Sequence, residues 1–90
     1  MTNEVKTKWE KMMLFLMEYD RNRGEIVSFK TFDHSERQEA EDSRLEMELE
    51  LNRLGTDREV VLLDAATEEA LRRTHRRYFE DLAELVNLPA

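Results

Sequence analysis

From Val5 to Tyr19 the apolar residues fall mainly on odd positions: Val5, Trp9, Met13, Phe15, Met17 and Tyr19. Of the even positions between Glu4 and Glu18 only Met12, Leu14 and Leu16 are apolar. That is the period of a strand, with a centre apolar on both faces. A helical template through Val5, Trp9, Met12, Leu16 and Tyr19 also fits, so a helix over residues 4–20 stands as the alternative. The residues that follow favour the strand. Tyr19 to Glu25 has the chemistry of a short hairpin loop, with Asp20 opening a turn and Gly24 supplying positive φ at its end. Ile26 to Phe32 is a β-branched and aromatic run that suits a strand. The expectation is a hairpin in which Lys11 to Tyr19 pairs with Glu25 to Phe32. Residues 1–10 either extend the first strand or are flexible.

The longest element is expected between Ser35 and Leu54. Ser35 with Gln38 fits a capping box, and Asp33 and Glu36 place negative charge at the positive end of the helix dipole. Gly55 suits a left-handed C-terminal cap. The segment Leu45 to Leu51 alternates strictly, yet Leu, Glu and Met are helix formers, and a strand would be richer in Val, Ile and Thr. On a helix, Ala40, Met47, Leu51 and Leu54 form one apolar stripe, while Leu45 and Leu49 lie on roughly the opposite side. A second stripe of this kind either touches a partner or is ordinary exposed leucine.

Beyond Gly55, Arg58 to Asp64 reads as a third strand, apolar on both faces. Thr67 caps a last helix with Glu68 and Glu69 in its first turn. That helix runs to about Asn87, with Leu71, Tyr78, Leu82, Leu85 and Val86 on its apolar face. The result is a small α+β domain of order ββαβα spanning residues 1–90. The first and third strands, apolar on both faces, belong together, which gives the strand order 2-1-3. With both helices on one face of the sheet, Met12, Leu14 and Leu16 on the other would remain bare. A homodimer closed through that face is the simplest remedy.

Composition narrows the function. A chain of 90 residues with 39% charged side chains, 2 Gly and 1 Pro is built mainly of regular elements and has room for one modest core. A net charge of −7 disfavours general nucleic-acid binding, which depends on cations neutralising phosphates. There is no cysteine, so redox chemistry does not reveal the compartment. No apolar run exceeds Met12 to Met17, too short for a membrane span, so the cytoplasm is the expected compartment.

Candidate chemistry is sparse. His34, beside Asp33 and Glu36, could join a metal or acid–base site, but it lacks a second ligand at metal-binding spacing and suits an exposed helix start. His75 is either a proton donor facing the sheet or a histidine at the edge of the core. Arg72, Arg73, Arg76 and Arg77 could form an anion or nucleic-acid patch with Tyr78 for stacking. Each also has an acid four residues away: Glu68, Glu69, Glu80 and Asp81, respectively. Such pairs add about 0.2–0.5 kcal/mol apiece to a helix. There is no phosphate loop or nucleophile elbow, and no cofactor is expected.

The sequence therefore points to a small, acidic, non-catalytic protein, homodimeric and acting on a second protein through Met12, Leu14, Leu16, Leu45 and Leu49. Nucleic-acid binding through the four arginines is one alternative. A ligand or enzymatic site at a dimer seam near His75 and Tyr78 is the other.

Overall fold

The computed structural model describes residues 11–79. Strand β1 (Met13–Asp20) and strand β2 (Glu25–Phe32) form the expected hairpin. Its loop closes through Asp20, whose carboxylate accepts the N–H groups of Asn22 and Arg23 at 3.0 and 3.1 Å. The Gly24 N–H returns to the Asp20 carbonyl at 2.8 Å with φ at 66°. A side chain at position 24 would pay a conformational cost for that turn.

A short 3-10 turn, His34–Glu36, leads into helix α1 (Arg37–Leu54). The capping box lies two residues earlier than the sequence suggested. The Asp33 carboxylate accepts from the Ser35 N–H at 3.1 Å, and Glu36 accepts from the Asp33 N–H at 2.8 Å. Asp33 is the better acceptor, and its own backbone is extended, as a cap requires. Ser35 instead donates its hydroxyl to Asp33 at 2.6 Å. At the far end Gly55 adopts φ 69°, and the Thr56 N–H closes back on the Leu51 carbonyl at 2.9 Å.

Strand β3 (Glu59–Ala65) completes a three-stranded antiparallel sheet of order β2-β1-β3. The register assigns the faces. Leu14, Leu16 and Glu18 of β1 share one face with Phe32, Lys30 and Ser28 of β2 and with Asp64, Leu62 and Val60 of β3. The opposite face carries Phe15 and Met17 with Thr31, Phe29, Leu63 and Val61. A bulge at Glu18/Tyr19 then brings Tyr19 opposite Ile26.

The two helical segments do not share a face. α1 lies over the Leu14 face, where the Arg37 guanidinium reaches Asp64 at 3.0 Å and Ala40 is fully buried. Helix α2 (Glu68–Thr74) and the short helix α3 (Arg76–Phe79) lie over the Phe15 face. There Leu71 packs with Phe15 and Ala65, and Tyr78 packs with Met17 and Tyr19. The sheet is thus a middle layer. β1 is apolar on both sides because a helix covers each side. Leu14, Leu16, Met17 and Leu71 are the largest fully buried side chains, each contributing about 1.5–3 kcal/mol of transfer free energy.

The last helix is also divided. Thr74 donates its hydroxyl to the Ala70 and Leu71 carbonyls at 3.0 and 3.3 Å, and His75 leaves helical geometry at φ −122° and ψ 50°. A β-branched residue that competes for carbonyls of the preceding turn weakens a helix at that point. The kink lets Tyr78 meet Tyr19 edge-on, with ring centroids 5.1 Å apart. The expected continuation to Asn87, with Leu82, Leu85 and Val86, lies outside the described residues, as do residues 1–10.

Candidate functional site

The 18 residues of α1 separate into an inner and an outer half. Ala40 is buried, and Met47 and Leu51 are half-buried. Leu45 and Leu49 sit about 140° and 180° round the helix from Ala40 at 3.6 residues per turn. They are 54% and 59% exposed, as their spacing implied. Leu54 belongs to the inner stripe by spacing yet is 58% exposed, at the last turn of the helix.

The outer half is strongly acidic. Glu39, Glu41, Asp42 and Glu46 lie around the two leucines, Glu48 and Glu50 stand at the borders with the inner half, and Arg53 is the only cation on the outer half. Arg53 is held at 2.5 Å by Glu50, and this hydrogen bond pulls the Glu50 carboxyl below its ordinary range. Arg44 reaches Glu48 at 3.9 Å from the inner side, and Arg37 is directed to Asp64. Among the described residues neither Glu39 nor Glu46 takes part in an ion pair.

Beside α1 an open groove of about 420 Å³ runs along the β2 side of the same sheet face. Met47, Leu51 and Leu54 form its apolar wall, and Lys30 with the Glu18–Arg58 ion pair forms its floor. No sequence pattern announced it, because it depends on α1 packing mainly on β1 and β3 rather than on β2.

Of the sheet residues expected at an interface, Leu14 and Leu16 are 0% and 1% exposed within the chain itself, and Met12 is half-buried just before β1. The face is not bare, because α1 occupies it. Leu14 and Leu16 are core, and the reason for closing a dimer over them disappears.

The arginines do not converge on a common anion. Arg72 pairs with Glu68 at 2.9 Å and Arg73 with Glu69 at 3.6 Å, both as the spacing suggested. Arg77 turns to the sheet and pairs with Glu59 at 3.0 Å. Glu80 and Asp81, the acids expected opposite Arg76 and Arg77, lie outside the described residues. Arg72 stacks over Phe79 and Arg77 over Tyr78, at 4.5 and 4.2 Å from the ring centroids.

Tyr78, Glu59 and Arg77 form a tight structural cluster with Tyr19. A hydrogen bond from the Tyr78 hydroxyl, with Arg77 beside it, holds the Glu59 carboxyl below its ordinary range. Burial, then the neighbouring carboxylate, pushes the Tyr78 hydroxyl up. Glu59 and Arg77 are 18 residues apart on different elements, so no local spacing could signal the pair.

His75 is half-buried with its ring centroid 6.5 Å from that of Tyr78. The hollow that Tyr78 helps to line, between the hairpin loop and Phe79, does not include His75. His34 stands at the half-buried start of the 3-10 turn. Among the described residues no group of three or more potential metal ligands comes together. No helix among them is long and apolar enough to cross a membrane.

Comparison with protein-family models, curated proteins and solved structures gives no match to this chain.

Proposed function

We propose that this chain is a small acidic protein-interaction module whose working surface is the outer face of α1. The observation that carries the reading is the pair Leu45 and Leu49, more than half exposed and directed away from the stripe that packs on the sheet. An internal role would place them inward, as it does Leu14, Leu16 and Leu71. Solubility alone would place charge at both positions, as it does around them.

The partner is a different protein. Self-association through this face would bring Glu41, Asp42, Glu46 and Glu48 of two copies together, and like charges in contact oppose binding. Nucleic acid suits the surface less well, since the net charge is −7 and Arg72, Arg73 and Arg77 are each set against a carboxylate.

Photo-crosslinking tests the proposal. A crosslinking amino acid at position 49, expressed in the protein's own host, is expected to capture a specific protein. Capture should vanish when Leu45 is replaced by Arg. Crosslinks no different from those at the exposed loop residue Thr56 would refute it.

A further inference from the structure

Resting on that reading, we propose that the partner presents a basic amphipathic helix, which lies along the outer face of α1 with its apolar residues on Leu45 and Leu49.

The backbone argues for a helix. Within α1 the N–H and C=O groups are already engaged, so this surface offers no edge to which a strand could add. Contact must come through side chains. A partner that satisfies its own backbone brings no unpaired groups into the interface, and a helix does so within a single segment.

The spacing agrees. Gln38, Asp42, Leu45, Leu49 and Asn52 follow one another at intervals of four and three along one stripe. That is the seam on which one helix lies against another. Only the central two positions are apolar, so the contact is a short leucine centre with polar ends. A partner helix of three or four turns is enough to cover it.

The charge sets the chemistry. Glu46 and Glu39 flank the stripe on one side, with Asp42 close to its middle, while Glu41 and Glu48 flank it on the other. On the second side Arg37, held mainly by Asp64 at 3.0 Å, and Arg44 reach Glu41 and Glu48 only at 4.0 and 3.9 Å. On the first side Arg53 is held by Glu50, while Glu39 and Glu46 take part in no ion pair among the described residues. Lysines or arginines on either side of the partner's apolar stripe would meet these acids from both sides. Their aliphatic stems would also cover Leu45 and Leu49 from water. The net charge of −7 steers such a partner from a distance.

The test uses the full chain, labelled with 15N, and three synthetic helices matched to the 18 residues of α1. The first is a leucine–lysine peptide with leucines at i, i+3, i+4 and i+7. The second has the same composition in scrambled order, and the third replaces every lysine by glutamate. The amphipathic basic peptide is expected to shift the amide resonances of Leu45, Leu49 and Asn52 most. Leu45→Arg with Leu49→Arg should weaken its binding at least about tenfold, equivalent to about 1.4 kcal/mol. Glu46→Lys with Glu48→Lys should weaken it too. Raising the salt concentration is expected to do the same, since these charges are solvent-screened.

Failure of the basic peptide to bind would overturn the inference, as would equal binding of the scrambled or acidic peptide, or shifts centred elsewhere. Crosslinking at position 49 separates the two levels. A captured protein together with an inert basic peptide would leave the module reading standing and remove the basic helix. Loss of both would remove both.

Discussion

Gly55 shows how much one residue can decide. Its φ of 69° ends α1, and a Cβ built there meets nothing within 4 Å. The cost of Gly55→Ala is therefore conformational alone, and urea denaturation is expected to show about 1 kcal/mol of destabilisation. This cap was legible in the sequence because Gly after an apolar-periodic run has few other uses. The N-terminal cap was legible only to within two residues, since Asp33, Ser35 and Glu36 can each cap and the choice depends on how the chain leaves β2. Glu59 was not legible at all, because Tyr78 and Arg77 reach it from another layer. Its carboxyl is held low by these neighbours, so its contribution is present above the ordinary carboxylate pKa of about 4.3 and is lost as pH falls through the lowered value. The raised hydroxyl of Tyr78 acts in the opposite sense, contributing below the ordinary tyrosine value and lost as pH rises through the shifted one. Thermal midpoints are expected to be level near neutrality and to fall at both extremes. Glu59→Gln should lower the midpoint at pH 7 and flatten the acid limb. An acid limb of unchanged slope would mean that the carboxylate is not held by Tyr78 and Arg77.

Among the elements, periodicity located the strands and helices but did not say what covers each face of the sheet. The hairpin, α1 and β3 follow from alternation, cap residues and β-branched runs, and the order 2-1-3 from which strands are apolar on both faces. The same double-sided pattern in β1 carries no label saying what covers each side. It fits a helix on each face as well as it fits helices on one face and a second copy on the other. The structure resolves this by passing α1 over one face and sending the chain, after Ala65, to the opposite one. A pair of variants separates the two arrangements. Leu16→Arg places an uncompensated charge in a fully buried site and is expected to abolish cooperative folding, read by circular dichroism and urea titration. Leu45→Arg with Leu49→Arg should leave the fold intact, with stability within about 1 kcal/mol of the original. If Leu16→Arg instead gave a folded, well-behaved monomer, α1 would not be covering that face. The break at His75 was hidden for a different reason: Thr74 is a tolerable helix residue by propensity, and only its hydrogen bonds to Ala70 and Leu71 mark the bend.

At the scale of the molecule, two covered sheet faces leave a small acidic body whose exposed large apolar side chains, among the described residues, are Val27, Leu45, Leu49 and Leu54. Three of the four lie on α1, and the two that form an outward stripe are rimmed by acids. The functional reading thus rests on one helix that is needed twice, inward to roof the sheet and outward to meet a partner. Sequence pattern showed both stripes but attached the dimer to the sheet face of Met12, Leu14 and Leu16, because it had no means of placing α1 there. The molar mass of the full chain in solution, by light scattering behind size exclusion over a wide range of concentrations, tests this account most directly. It predicts 10.8 kDa throughout, since both faces of the sheet carry a helix and the acids around Leu45 and Leu49, the exposed apolar stripe among the described residues, oppose contact between two copies. A concentration-independent dimer, retained in the Leu45→Arg with Leu49→Arg variant, would contradict it.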